Sequence, residues 1–207
     1  VLCSHLWRPQ GRVDEELRMG PVADLLGSLL DMTVRAVPCT VGEEAAAAVA
    51  ELEAGQVLLL ENLRFHAGET AHDPAFADAL AALGDSFVLD AFGVCHRDHA
   101  SVVGLAGRLP TTVGPLIRAE LSAFARVLND PDRPFVAVLG GAKVSDKIPV
   151  IESLLGRVDA LLIGGAMANT FLDAQGIGVG QSMCERGMAV EARNVLVAAA
   201  GNNKTNR

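Results

Sequence analysis

The chain has 207 residues, 50% of them apolar and 20% charged, a balance that gives a folded core rather than disorder and room for one large domain or two modest ones. Its formal net charge of −8 excludes nucleic-acid binding through general basicity, so any anion site must be a local concentration of cations on an acidic molecule. Phe is scarce, Trp occurs once and Tyr not at all, so Ala, Val and Leu must fill most of the core.

In chain order, Val1 to Cys3 reads as a strand remnant, and Pro21 to Leu30 carries apolar residues at helical spacing. Val34 to Val37 fits a short strand, and Glu43 to Leu52 an Ala-rich helix with Gly55 as its stop. Val57 to Leu60 is a buried strand, Pro74 to Leu83 a helix closed by Gly84, and Phe87 to Leu89 a further strand. Leu116 to Leu128 is a long amphipathic helix. The strand Phe135 to Leu139 follows, then a helix from about Ser145 to Leu155, the strand Ala160 to Ile163, and a helix beginning near Met167. Strands apolar on both faces and separated by helices indicate parallel βαβ units, hence an α/β fold. Pro131 and Pro134 in "NDPDRP" break the chain after the long helix and place a domain boundary near residue 130.

Five of these strands run into segments rich in Gly, Arg, Lys or His: "SHLWRP", "ENLRFHAGE", "DAFGVCHRDHAS", "GGAKVSDK" and "GGAMANTF". In open parallel sheets the ligand crevice lies outside the carboxyl ends of the strands, where these residues fall. The cations divide along the chain, with His5, Arg8, Arg64, His96 and Arg97 before the long helix and Lys143 and Lys147 after it. The two groups are expected to face one shared cleft.

Every one of these segments admits a plainer reading. In "GGAKVSDK" the glycines let backbone N–H groups approach a phosphate, or they simply make a tight turn beside two solvated lysines. A helix already begun at Lys143 would put Lys143 and Lys147 on one face. The spacing is not that of a GxxxxGK[ST] loop. Arg64 and Arg97 carry the planar fork suited to carboxylate or phosphate, but Arg64 has Glu61 and Glu69 within reach as structural partners. His96 and His99 offer either ligand contact or hydrogen bonding within their loop; His66 and His72 read as structural. "GGAMANTF" is a wall beside a nucleotide or a close-packed strand-to-helix turn.

Cys3, Cys39, Cys95 and Cys184 form no CxxC pair, which points to reduced thiols in a cytoplasmic setting rather than to a disulfide framework. Cys95, His96 and His99 lie close together, but without a second ligand pair no metal site is expected. No apolar run is long enough to span a bilayer and no leader peptide is visible, although the chain opens directly on Val1.

The segments "LLLENLRFHAGE", "FVLDAFGVCHRDHAS", "RPFVAVLGGAKVSDKIPVIESLL" and "DALLIGGAMANTFL", in this order and at these separations, resemble the phosphoglycerate kinase family from Val1 to about residue 200. The resemblance implies two Rossmann-like parallel-sheet domains joined by a helix: a phosphoglycerate-binding domain over 1–115, a connecting helix and hinge over 116–130, and part of a nucleotide-binding domain over 131–207. It implies reversible phosphoryl transfer between ATP and the carboxylate of 3-phosphoglycerate, with Mg2+ accompanying ATP or ADP, in a cytoplasmic protein that would be a monomer if complete, with no nucleic-acid or membrane partner. By matching motifs, His5, Leu6, Trp7, Arg8, Arg64 and Arg97 would hold the phosphoglycerate. Lys143 would neutralise charge on the phosphoryl in flight, Lys147 would contact nucleotide phosphates, and Gly140, Gly141, Gly164 and Gly165 would line the nucleotide site. A loose transition state with charge on its equatorial oxygens suits such cation-based catalysis.

The departures from the family pattern are specific. Trp7 stands where the motif has glycine, and Ala166 replaces the third glycine of a GGG run. The family's first strand with its Asp-x-Asn loop is not seen. Nor are the glycine-rich GGD segment that serves the metal side and the adenine-side Glu. The terminal "AAAGNNKTNR" turns abruptly polar. The chain is therefore expected to be an incomplete kinase with little turnover alone, its second sheet partial. The alternative is a catalytically inactive paralogue or fragment that only binds phosphoglycerate.

Overall fold

The structure, a computed structural model, describes residues 1–201. The polar run beyond Gly201 lies outside the described residues. The chain divides into two compact units, Val1–Leu121 and a second that begins at Ser122.

In the first unit, β1 (Val34–Ala36) pairs in parallel with β2 (Val57–Leu59), with Val34 opposite Val57 and Ala36 opposite Leu59. The strand remnant at the start of the chain contributes one bridge to the other edge of β2. Leu2 N–H donates to Leu58 O at 2.6 Å, and Leu60 N–H donates to Leu2 O at 2.9 Å. β2 is thereby central, and its side chains alternate across the sheet. Leu58 and Leu60 enter a core with Ala45 and Ala48 of α2 (Glu43–Ala50) and with Phe76, Ala77 and Leu80 of α4 (Pro74–Ala81). Leu59 faces the opposite way, onto Met19 and Ala23 at the start of α1 (Gly20–Leu30). Helices on both faces explain why β2 is a continuous apolar run. α2 and α4 each stop two residues short of the sequence expectation.

β3 (Phe87–Leu89) pairs in parallel with β4 (Thr111–Val113). β4 was not expected from the sequence, because an exposed Thr-Thr-Val has no burial pattern to read. Between β2 and α4 the chain makes a 3-10 turn at Leu63–Phe65 and the single turn α3 (Ala67–Thr70). Between β3 and β4 it makes a 3-10 turn at Phe92–Val94 and a π-helical turn at Ala100–Gly104, which buries Ala100, Val102 and Gly104. α5 (Pro115–Leu128) opens with Ile117 N–H donating to Asp90 Oδ1 at 2.9 Å.

Among the described residues the second unit holds one two-stranded parallel sheet, β5 (Val136–Gly140) with β6 (Ala160–Gly164). Three helices cover one face: α6 (Ile148–Leu155), α7 (Ala166–Ala174) and α8 (Ala189–Gly201). Ile151, Met167, Phe171, Ala192 and Val195 form the core against Leu139, Leu161 and Ile163, while Val136, Val138 and Leu162 on the other face are exposed. α8 was not anticipated, although its buried Ala192, Val195 and Ala199 recur at helical spacing.

α6 starts at Ile148, three residues later than the sequence suggests. Val144 to Lys147 instead form a turn, with Lys147 N–H donating to Val144 O at 2.8 Å, and Lys147 is the helix N-cap. Lys143 therefore precedes the helix altogether. The expectation that it shares a helical face with Lys147 is not met.

Candidate functional site

In the first unit the site is built around the carboxyl end of β2. Asn62, fully buried, uses its whole amide. Its Oδ1 accepts from Arg64 N–H at 3.1 Å and starts the 3-10 turn, while its Nδ2 donates to Leu6 O at 3.1 Å and Leu17 O at 3.0 Å. One side chain thus pins the Ser4 to Arg8 segment beside Arg64. Glu61, also buried, accepts from Met19 N–H and Asn62 N–H, both at 2.8 Å, and from Arg18 Nη1 at 3.0 Å. Buried carboxylates are tolerated only when so satisfied.

Glu69 is 1% exposed and accepts from Ser101 N–H at 3.0 Å and Ser101 Oγ at 2.6 Å, fastening α3 to the loop that follows β3. Glu61 and Glu69 are therefore committed elsewhere, and neither forms an ion pair with Arg64 at contact distance. Arg64 instead donates from Nη1 to Trp7 O at 2.5 Å, and its backbone carbonyl accepts from Gly11 N–H at 3.1 Å. Its Nε is buried without a hydrogen-bond partner, the one such side-chain atom among the described residues.

Arg8 and Arg97, with His5 and His99, gather around this guanidinium, whereas His96 is exposed and is not among them. Partial burial lowers the Arg64 pKa from its ordinary value, and the charges of Arg97 and Arg8 push the same way. His5 is held below 6.5 by burial and then by Arg64 and His99. His99 is lowered by burial first, with Glu69 opposing and Arg64 and Arg97 reinforcing. His5, Arg8, Arg64, Arg97 and His99 therefore share one positive field, with Arg8 and Arg97 exposed and free of ion pairs among the described residues.

Trp7 lies beside them, 77% exposed and with a φ of 50°, in the left-handed region that the glycine of the family motif enters without strain. The Leu6 side chain packs inward against Met19, Ala23 and Leu59, so this residue offers the site backbone only. His66 stacks on Phe76 with ring centroids 4.1 Å apart and accepts from Gly68 N–H; His72 pairs with Asp98 at 2.5 Å.

In the second unit Gly140 and Gly164 are register partners at the ends of β5 and β6. A Cβ at either would meet nothing closer than 3.9 Å, so the protein itself does not demand glycine there. Gly165 is different. It has a φ of 69°, and a Cβ on it would meet Gly141 O at 2.9 Å and Gly141 N at 3.0 Å. Gly141 O also accepts from Met167 N–H at 2.9 Å. Close packing of the two loops, the plainer of the sequence readings, accounts for Gly165. Ala166 is the first residue of α7, where alanine suits the helix and a third glycine is not needed.

Lys143 and Lys147 form no ion pair among the described residues, and Lys147 caps the N-terminus of α6, where the helix dipole disfavours a cation. Glu185, 41 residues after Val144, accepts from the N–H groups of Val144 and Ser145. Sequence reading overlooked Asn62 and Glu185, and it offered Glu69 as a partner of Arg64 where the structure gives it to Ser101. Asn62 gave a signal, a polar residue between Leu60 and Leu63 at a strand end, whereas Glu185 gave none.

Comparison with known proteins agrees with this arrangement of motifs. The phosphoglycerate kinase family model matches residues 1–206. The chain is 56% identical over 201 residues to a phosphoglycerate kinase of Herpetosiphon aurantiacus, a match covering 97% of this chain and 51% of that relative. It is 54% identical over 200 residues to one from Moorella thermoacetica, again covering 97% and 51%. The solved structure of phosphoglycerate kinase from Coxiella burnetii superposes with a TM-score of 0.85 at 40% identity, over 98% of this chain and 51% of that one. The chain spans about half the length of the relatives it matches. On these matches, the chain belongs to the phosphoglycerate kinase family.

Proposed function

We propose that the chain serves the phosphoglycerate kinase reaction, the reversible transfer of the γ-phosphoryl of ATP to the carboxylate of 3-phosphoglycerate, giving ADP and 1,3-bisphosphoglycerate. In this reading residues 1–115 hold the phosphoglycerate through His5, Arg8, Arg64 and Arg97, with Leu6 and Trp7 supplying backbone. Residues 116–130 connect the domains. Residues 131–207 belong to the nucleotide domain, where Gly140, Gly141, Gly164 and Gly165 line the site, Lys147 meets the phosphates and Lys143 neutralises the transferring phosphoryl.

The observation that carries the reading is the Arg64 environment. A guanidinium whose buried Nε has no hydrogen-bond partner among the described residues, under repulsion from Arg97 and Arg8, is stabilised by an anion. A phosphate or carboxylate oxygen would accept from Nε and neutralise the shared field. In the second unit Lys143 and Lys147, without an ion pair among the described residues and with Lys147 at a helix N-terminus, likewise call for negative charge. Positioning and cations are what phosphoryl transfer needs from a protein. Magnesium is taken to travel with the nucleotide. Among the described residues no cluster of His, Cys, Asp and Glu offers it a protein site, and no step here depends on one.

A second reading keeps phosphoglycerate binding and omits turnover. The two-stranded sheet of the second unit and the roughly half-length match favour it for this chain alone. Calorimetric titration of 3-phosphoglycerate, paired with a coupled ATP-consumption assay, decides. Binding that weakens by about a hundredfold in Arg64→Ala, as loss of a charged double hydrogen bond would do, supports the site. Equal binding in both proteins, or none in either, removes it. Ordinary turnover by the chain would set aside the binding-only reading.

A further inference from the structure

The Lys143–Lys147 segment is held by a residue remote from it in sequence. Glu185 Oε2 accepts from Val144 N–H and, at 3.1 Å, from Ser145 N–H, while Glu185 Oε1 accepts from Ser145 Oγ at 2.9 Å. Three donors converge on one carboxylate within the two residues that follow Lys143. The Glu185 backbone is anchored in turn, its N–H donating to Oγ1 of Thr170 at 3.0 Å. Thr170 is fully buried on α7, the helix that begins directly after Gly165. A second bond, Asn169 Nδ2 to Met183 O at 3.0 Å, ties the same stretch to the same helix.

We propose that Glu185 is a positioning residue for the nucleotide side of the site: through these three hydrogen bonds it fixes the backbone from which Lys143 and Lys147 project. This rests on reading that segment as the nucleotide site. The alternative role, a helix cap, does not match the geometry. α6 starts at Ile148, and the carboxylate engages residues 144 and 145, which lie in the preceding turn. Val144 itself is fully buried in the core with Ile151 and Met167, so the turn is gripped from both sides, by apolar packing below and the carboxylate above. The grip also ties the loop after β5 to the helix after β6, so the two phosphate-facing loops share one reference.

A carboxylate beside a site for phosphates is unfavourable by charge alone. Here its acceptor capacity is directed at protein donors, and those bonds, with the nearby charge of Lys143, hold its pKa below the ordinary value of 4.5. Charge and position therefore make opposite predictions. If only charge mattered, removing Glu185 would tighten binding of an anionic ligand; if it positions the lysines, removal loosens it.

The test is titration of ADP with Mg2+ by calorimetry, and amide hydrogen exchange, on the whole chain as wild type, Glu185→Ala and Glu185→Gln. The expected result for Glu185→Ala is about tenfold weaker ADP binding and about tenfold faster exchange at Val144 and Ser145, with protection in α7 and α8 unchanged. Glu185→Gln retains one acceptor oxygen and is expected to fall between the two, which guards against a misfolded alanine variant. Equal or tighter ADP binding in both variants overturns the proposal, as does unchanged exchange at Val144 and Ser145. If the wild type binds no ADP, the nucleotide reading fails separately and exchange alone decides the role of Glu185: faster exchange upholds the grip on the turn, and unchanged exchange ends it.

Discussion

The Arg64 guanidinium donates from Nη1 to the main-chain oxygen of Trp7 at 2.5 Å, and Trp7 reaches that position with a φ of 50°. A side chain in the left-handed region costs about 1–2 kcal/mol, and glycine there costs nothing sterically. Because the ring is 77% exposed, little burial is lost on removing it. Trp7→Gly is therefore expected to stabilise the first unit by about 1 kcal/mol, after allowance for the larger unfolded-state freedom of glycine. Urea unfolding measures this; a lower midpoint in the variant would show that the ring contributes more than its backbone costs.

Asn62 joins three backbone groups of the first unit through one buried amide. Asn62→Ala strips a donor from two carbonyls and an acceptor from Arg64 N–H in a fully buried setting. A loss of about 2–3 kcal/mol is expected, together with loosening of the Ser4 to Arg8 segment. Equilibrium unfolding gives the first quantity and proteolysis of the Ser4 to Arg8 stretch the second. A change below half a unit of energy would mean that water replaces the amide without cost.

At Gly165 the obstacle to a side chain is backbone, which cannot yield as a flexible side chain does. A Cβ would lie 2.9 Å from Gly141 O, and the φ of 69° is itself unfavourable. Gly165→Ala is expected to cost about 2 kcal/mol or more, whereas Gly164→Ala meets only ordinary contacts at 3.9 Å and is expected to leave stability nearly unchanged. Comparing thermal midpoints of the two variants checks the contrast.

Protons should accompany phosphoglycerate. His5 and His99 are both lowered below 6.5 in the free protein, so both are neutral at about pH 7. Between their folded values and roughly pH 6.5 the unfolded chain binds more protons. Stability therefore falls as pH drops through that window and levels off beneath the folded values. A bound phosphate offsets the repulsion from Arg64 and raises both histidines, so binding takes up protons and tightens as pH falls from about 7.5 to 6. Binding heats measured in buffers of different ionisation enthalpy should differ; identical heats would place the phosphate elsewhere.

Most of the architecture could be read from runs such as Val57 to Leu60, because a strand covered on both faces must be apolar throughout. The candidate cations stand out in the sequence because each follows an apolar run, although β3 and β5 each leave one face exposed. β4 could not be read, since its three residues are exposed and pair only through backbone. The late start of α6 was equally hidden, because the donors of Val144 and Ser145 go to a carboxylate 41 and 40 residues away. Local periodicity reports on packing, and long-range polar contacts leave no period. The choice between glycine as ligand space and glycine as packing space was also closed to the sequence; only the approach of Gly165 to Gly141 separates it from Gly164.

The replacement of a glycine by Trp7 has an optical consequence. This is the chain's sole tryptophan, and there is no tyrosine to overlap its emission. A largely exposed indole fluoresces at long, water-like wavelengths, and this one is attached through its own carbonyl to Arg64. A ligand that draws that guanidinium aside would release the Trp7 carbonyl, so on the proposed reading a change in intrinsic fluorescence during titration is the expected, label-free signal of binding at the cation cluster.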